Sequence, residues 1–384
     1  MDDTENYETL VCPSGPDNTR NCEASVIELQ DGSLLLVYSH FVASGGDYDI
    51  ADIRSKSSDD GGYTWSESSI IQETDGKYNM RGADLIELRS GELGLIYGRS
   101  LMGKDRVLEE YLVFRTSKDN GKTWSPERRI GSIDWHYILL HDQILRLSTG
   151  RIIVPLTVMA SAYGPYSISN ENGAVQLAAL LFTDDEGETW RLGAALMGDD
   201  LIGCNEPSAV ELRDGRVLMF MRTCLGRVYK TYSEDHGETW TKPEPTVLPS
   251  FNSPQNVKRI PATGDLLLLW NQCTPEEASM GLFRHRLTAA VSKDEGETWI
   301  CFNNLESLDN RTRIEPPEVK MYRGGRFRGA YPTGYREGLL NASYSSIVFT
   351  GKEKDTAIIT YGVTPAPRHS LKLRILPVDS FYAQ

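Results

Sequence analysis

SKDEGETW, residues 292–299, is one of five near-identical octads in this chain. The others are SDDGGYTW (58–65), SKDNGKTW (117–124), TDDEGETW (183–190) and SEDHGETW (233–240). All share an acid at the third place, Gly at the fifth, Thr at the seventh and Trp at the eighth. A period of this size marks a repeat architecture and has to be read before any local feature. Within each octad, Asp can accept from backbone N–H groups a few residues on, and Gly supplies the positive φ of a tight turn. Each octad therefore reads as a turn between two strands. Its Trp, recurring once per unit, reads as a packing wedge between neighbouring units.

A second landmark precedes each octad. EASVIELQDGSLLLVY around Gly32, ADLIELRSGELGLIY around Gly91, QILRLSTGRIIVPL around Gly150, EPSAVELRDGRVLMF around Gly215 and VKRIPATGDLLLLW around Gly264 are pairs of apolar strands joined at a glycine turn. Hairpin plus octad makes a four-stranded antiparallel unit. A sixth unit without an octad spans Ala342 to Gly362. Helical periodicity is nearly absent, so the expected fold is all-β: six small sheets repeated around an axis as a six-bladed β-propeller, a solution that leaves only short edges. The whole chain, 1–384, is expected to be one domain. Residues 302–340, rich in Arg, Gly and Pro, read as a long insertion between blades five and six.

Forty Lys and Arg against 54 Asp and Glu give a net charge of −14, which repels a phosphate backbone and argues against nucleic acid as a partner. The six cysteines are scattered without a C-x-x-C pair, so they read as structural thiols and not as a zinc site. No run approaches the roughly 20 apolar residues of a membrane helix. The opening MDDTENYETL is acidic and polar, unlike an export leader. Two localisations are compatible with it: the cytoplasm, or export with a leader absent from this chain. No cofactor is expected, and oligomeric state is not readable.

In a propeller the innermost strands open at one mouth of the central channel, so residues just before the first hairpin face a ligand. Nine residues before the landmark glycines stand Glu23, His141 and Glu206, and ten before stands Arg81. Glu23 and Glu206, in blades one and four, would face each other, and paired carboxylates serve glycoside hydrolysis. Asp142, Asn205, Asn252, Asn256, Asn271, Trp135 and His136 also fall near the expected mouth. They suit sugar hydroxyls and a pyranose face, or equally turn formation.

The octads and the blade count resemble the sialidase superfamily, whose S-x-D-x-G-x-T-W repeats are known as Asp boxes and whose fold is a six-bladed propeller. The resemblance covers nearly the whole chain. NEPSAVELRDGRVLMFMRT is similar to the blade-four motif in which a Glu precedes an Arg by 16 residues, here Glu206 and Arg222. By that resemblance Glu206 is the base for a tyrosine nucleophile, and Arg222 belongs to an arginine triad that grips a substrate carboxylate bidentately. RHRLTAAV resembles the next triad position and implies Arg284, or else Arg286. SYSSIVF resembles the segment of the nucleophile and implies Tyr344. The acid is implied in SGGDYDIAD, at Asp47 or Asp49, with Asp52 further into the strand.

The departure is in blade one. The family begins that strand with R-I-P, whereas this chain reads TRNCEASVIEL, with Arg20 about two places early and Glu23 nearby. Arg20 or Arg81 would have to complete the triad. The resemblance implies a retaining exo-glycosidase that removes a terminal acidic sugar of the sialic acid type from a glycan. Two alternatives stand beside it: a hydrolase or lyase acting on another sugar through Glu23 and Glu206, and a glycan-binding propeller without catalysis.

Overall fold

A computed structural model of the chain describes residues 6–42, 45–47, 49–102, 107–131, 136–160, 175–193, 204–319, 338–364 and 369–383. The strands form six antiparallel sheets. An N-terminal strand, β1 (Tyr7–Cys12), comes before the first of them. Blade one holds β2 (Arg20–Glu28), β3 (Leu34–Phe41), β4 (Ala51–Ser58) and β5 (Ser69–Gln72). Blade two holds β6 (Tyr78–Glu87), β7 (Leu93–Met102), β8 (Val107–Ser117) and β9 (Arg128–Ile130). In blade three the inner strand is split into β10 (His136–Leu139) and β11 (Leu145–Arg146), both paired with β12 (Ile152–Ala160), followed by β13 (Val175–Thr183) and β14 (Arg191–Leu192).

Blade four comprises β15 (Asn205–Glu211), β16 (Val217–Arg222), β17 (Arg227–Ser233) and β18 (Glu244–Pro249). Blade five comprises β19 (Gln255–Arg259), β20 (Leu266–Asn271), β21 (Leu287–Ser292) and β22 (Ile300–Glu306), with a short helix α1 (Pro275–Ser279) between its second and third strands. Blade six holds β23 (Asn341–Thr350), β24 (Thr356–Thr364) and β25 (Ser370–Pro377). Its fourth strand is β1, which runs antiparallel to β25 with Tyr7 opposite Ile375. The ring is thus closed by joining the two ends of the chain. The insertion expected over 302–340 starts later than its expected boundary, because Phe302 to Glu306 complete the outer strand of blade five. Residues 320–337 of that stretch lie outside the described residues.

Each octad caps the turn between the third and outer strands of its blade. In the first, Asp60 accepts from Thr64 N at 2.9 Å and from Thr64 Oγ1 at 2.5 Å, Gly62 N donates to Ser58 Oγ, and Trp65 Nε1 donates to Gly62 O. The box glycine is needed twice over. It has φ between +82° and +96° at Gly121, Gly187, Gly237 and Gly296, and a Cβ there would lie 2.6–2.8 Å from a side chain of the preceding blade. Trp65, Trp124, Trp190, Trp240 and Trp299 each join an apolar cluster built from two adjacent blades. The interface of blades five and six, which has no box Trp, is filled by Phe349, Tyr361 and Phe381.

One further repeated feature positions the candidate site. The inner strands of blades one, two, four and six each bulge, with register breaks at Cys22/Ser25, Arg81/Asp84, Asn205/Ser208 and Ser343/Ser346. The bulged residues Glu23, Gly82, Glu206 and Tyr344 have φ of 55°, 68°, 42° and 60°. In blade three, Asp142 (φ 56°) lies in the gap between β10 and β11. Bulges re-aim side chains, and left-handed backbone at a non-glycine residue costs about 1–3 kcal/mol. Glu23, Glu206, Tyr344 and Asp142 all carry that cost.

Candidate active site

The bulge of β15 turns Glu206 inward, and neighbouring blades hold its backbone on both sides: its N–H donates to Thr157 Oγ1 at 2.7 Å and its C=O accepts from Gln255 Nε2 at 3.2 Å. Arg222 ends β16 opposite Asn205 and donates through Nη1 to Glu206 Oε2. The bulge of β23 brings in Tyr344, whose hydroxyl lies 3.5 Å from Glu206 Oε1 and 3.4 Å from Arg222 Nη1. Its carbonyl is 2.9 Å from His141 Nε2, which fixes the strained peptide from blade three. Burial, then the Glu206 charge, raises the Tyr344 phenol above its ordinary value against the pull of Arg284 and Arg222. The phenol is therefore neutral at rest and needs a base to become a nucleophile.

Arg284 approaches from the loop before β21. Its guanidinium carbon is 5.0 Å from the centre of the Tyr344 ring, and it donates to the neutral acceptors Ser253 Oγ and Asn252 O. Asn252 also accepts from Arg222 Nε at 2.9 Å and Nη2 at 2.6 Å. One residue, itself left-handed (φ 54°), thus sets both arginines.

Arg20, at the start of β2, turns inward over Phe41 and ends on two carboxylates. Nη2 is 3.0 Å from Glu23 Oε1 and Nη1 is 2.5 Å from Asp47 Oδ1. Glu23 gives its other oxygen to Gly82 N at 3.1 Å. Glycine is required at that place, since a Cβ would sit 2.4 Å from Leu139 O. Both oxygens of Glu23 are therefore engaged, one by the arginine of its own blade and one by the next blade.

Asp47 lies in the loop between β3 and β4. Although the side chain is 67% exposed, the surrounding protein partly desolvates the carboxyl and acts to raise its pKa, but the charges of Arg20, Arg81 and Arg284 outweigh that and hold it well below the usual range. Arg81 donates to Asp47 O at 3.2 Å and is 4.0 Å from Glu110. Asp49 turns back on its own loop and accepts from Gly46 N at 2.6 Å. Asp52 faces Thr74 N and Arg54.

Asp142 reaches across the axis to Asn256 Nδ2 and Ile347 N, both at 2.8 Å, with Lys258 Nζ at 3.2 Å. Asn205 donates to Gln176 Oε1 at 2.6 Å. Asn271 spreads its amide over the carbonyls of Arg284, Arg286 and Ala342, bracing the Arg284 loop against blade six. Arg286 is fully buried against Glu277 and Asp309, so the alternative to Arg284 belongs to a structural ion network. Trp135 and the His136 side chain lie outside the described residues. All six cysteines are free thiols. Among the described residues no cluster of three or more His, Cys, Asp or Glu is placed to hold a metal ion.

Two functional relationships escaped the sequence reading. The joint hold of Asn252 on the two arginines had no signal beyond an Asn near the mouth. Asp84, which accepts from Ser25 Oγ, Gln143 N and Ile144 N, ties three blades together two places after the bulge. Ser208 and Ser346 occupy the same repeat position, so its structural role could have been counted from the repeat.

Residues 43–354 match the BNR repeat-like domain. The chain belongs to the BNR repeat-like family. This BNR repeat-like chain is 28% identical over 286 residues to a sialidase of Micromonospora viridifaciens, covering 64% of its own length and 40% of that protein. It is 26% identical over 240 residues to an anhydrosialidase of Macrobdella decora, covering 59% of its own length and 28% of that protein. It thus spans less than half of either relative.

Among solved structures it superposes on the NanB sialidase of Streptococcus pneumoniae with a TM-score of 0.68 at 13% identity, covering 97% of this chain and 70% of that one. Trypanosoma rangeli sialidase in complex with the inhibitor DANA gives 0.67 at 13%, covering 96% and 59%. A Dyadobacter fermentans protein of unknown function gives 0.68 at 19%, covering 97% and 98%. At such identities the likeness is one of fold, and function has to be argued from the site.

Proposed function

We propose that this BNR repeat-like protein is a retaining exo-glycosidase that releases a terminal acidic sugar of the sialic acid type from a glycan. The observation that carries the reading is the convergence of Tyr344, Glu206 and Arg222 from blades six and four, with the hydroxyl 3.5 Å from the carboxylate. Glu206 takes the phenolic proton as the Tyr344 oxygen bonds to the anomeric carbon, while Asp47 gives its proton to the departing glycosidic oxygen. Asp47 then removes a proton from water, which attacks the same carbon as the bond to the Tyr344 oxygen breaks and Glu206 returns its proton to that oxygen. A neutral phenol suits an anomeric carbon that already bears a carboxylate, because an anionic nucleophile would be repelled. Arg222, Arg284 and Arg20 hold that carboxylate.

The relatives named sialidase and anhydrosialidase support the substrate class, and a glycan or glycoconjugate is the partner this chemistry requires. The pairing of Glu23 with Glu206 draws no support, since both oxygens of Glu23 are engaged elsewhere. The test is release of 4-methylumbelliferone from its N-acetylneuraminic acid glycoside. NMR of the first-formed sugar should show retained anomeric configuration. No release, or inversion, removes the proposal.

A further inference from the structure

The two carboxylates on Arg20 differ in kind. Glu23 is buried, with 7% of its side chain exposed, and is tied through its second oxygen to Gly82 N. Asp47 is 67% exposed and sits on a loop. The Arg20 side chain is itself only 9% exposed, so a ligand reaching it from the mouth meets Asp47 first. Arg20 Nε donates to Cys22 Sγ at 2.9 Å and Nη2 to Glu23, so the place left for a ligand carboxylate is at Nη1, which Asp47 occupies beside Gly45 O at 3.3 Å.

Resting on the glycosidase reading above, we infer that Asp47 is a displaceable occupant of the carboxylate site on Arg20, and that a ligand carboxylate takes its place there while Asp47 takes up a proton from solvent. Glu23 is the fixed counter-ion that keeps Arg20 aimed inward through this exchange. The device explains the departure in blade one: the extra acid orients the arginine and does not compete with the ligand.

The exchange couples recognition to chemistry. Arg20 faces Asp47 from β2, Arg81 from β6, Arg284 from the loop before β21, Tyr344 from β23, and His369 from just ahead of β25, with Glu23 and Cys22 behind Arg20. Three of these are cations, and they keep Asp47 ionised in the empty site. An ionised Asp47 cannot protonate a leaving oxygen. Once a ligand carboxylate has engaged the arginines, their field is neutralised, Asp47 loses its partner, and the proton it gains is the one later given to the departing oxygen. His369 does not supply that proton, because burial, then Arg20 and Arg284, pushes it down to about 3 and leaves it neutral. A sugar without the carboxylate leaves Asp47 paired with Arg20, so specificity for acidic sugars acts on turnover as well as on binding.

The experiment is calorimetric titration of the full chain with N-acetylneuraminic acid at pH 5.5, in two buffers of different ionisation enthalpy. Its methyl ester is the neutral control. Wild type should bind the acid with proton uptake and the ester without it. Asp47→Asn should bind the acid with no uptake and roughly two- to fivefold more tightly, the range for relieving one partly exposed ionic competitor. Binding of the acid by wild type without uptake, weaker binding by Asp47→Asn, or no binding by either protein overturns the inference. Hydrolysis of the fluorogenic sialoside is scored separately. Turnover without proton uptake would sink this exchange and spare the glycosidase reading, while uptake without turnover would do the reverse.

Discussion

The Tyr344 hydroxyl lies 3.5 Å from Glu206 Oε1 across a sequence separation of 138 residues, and both residues sit on left-handed backbone at matching bulges of different blades. The strain at these two positions is offset by hydrogen bonds, with Glu206 N donating to Thr157 Oγ1, Gln255 Nε2 donating to Glu206 O, and His141 Nε2 lying 2.9 Å from Tyr344 O. Removing either side chain's chemistry should leave the ring intact. Glu206→Gln is expected to lower kcat on the sialoside by roughly a hundred- to ten-thousandfold, as for loss of a general base. Tyr344→Phe should form no covalent adduct by mass spectrometry with a 2,3-difluorinated sialic acid. An adduct on Tyr344→Phe would reassign the nucleophile.

Asn252 Oδ1 accepts from Arg222 Nε and Nη2, and its backbone carbonyl accepts from Arg284 Nη2. Hydrogen bonds to charged groups contribute about 1.5–3 kcal/mol. Asn252→Ala should therefore weaken N-acetylneuraminic acid binding by roughly tenfold or more. Equal affinity in a calorimetric titration would show that the arginines find their aim without it.

The Asp boxes predict an acid limit to stability. Hydrogen bonds from Thr64, Thr123 and Thr189 lower Asp60, Asp119 and Asp185 to about 2. A carboxyl whose folded pKa is depressed stabilises the fold above its unfolded pKa, near 3.9, and loses that contribution as pH falls toward 2. Urea midpoints should drop between pH 4 and pH 2. Thr189→Val removes one hydroxyl donor while keeping the side-chain shape, so its midpoint should fall less steeply over that interval. Parallel curves for the two proteins would contradict the assignment.

Trp299 is 6% exposed between blades four and five, where its ring lies edge-on to Phe220 at 6.0 Å. Trp299→Ala should cost about 3–5 kcal/mol, in line with truncating a large core aromatic. Chemical denaturation with both proteins at one pH measures this directly.

The ring was legible because its signal is local and repeated: turn residues at fixed offsets and paired apolar runs, five times over. Glu206 was reachable by counting, since the bulge lies nine residues before the hairpin glycine in blades one, two and four, whereas Tyr344 lies only seven before Gly351, so Arg222 and Tyr344 came from the resemblance to sialidase motifs. Blade three breaks the count by one, so it pointed to His141 where the left-handed residue is Asp142. The strand β1 had no such cue, as YETLVC pairs with residues at the far end of the chain. The orientation of Glu23 was also hidden. Whether an acid at a strand end faces a cavity or a neighbour depends on what the next blade presents, here a bare N–H at Gly82.

Because β1 is the last strand of blade six, the ring has no terminal blade, and its fastening depends on a single outer strand drawn from the opposite end of the polypeptide. Trimming the first dozen residues would uncover the hydrogen-bonding side of β25 along Leu371 to Ile375. An unpaired edge of that length invites the same segment of another molecule to dock in its place. Clipped protein should then associate in a concentration-dependent way by light scattering, and adding back a synthetic peptide of the missing segment should reverse it.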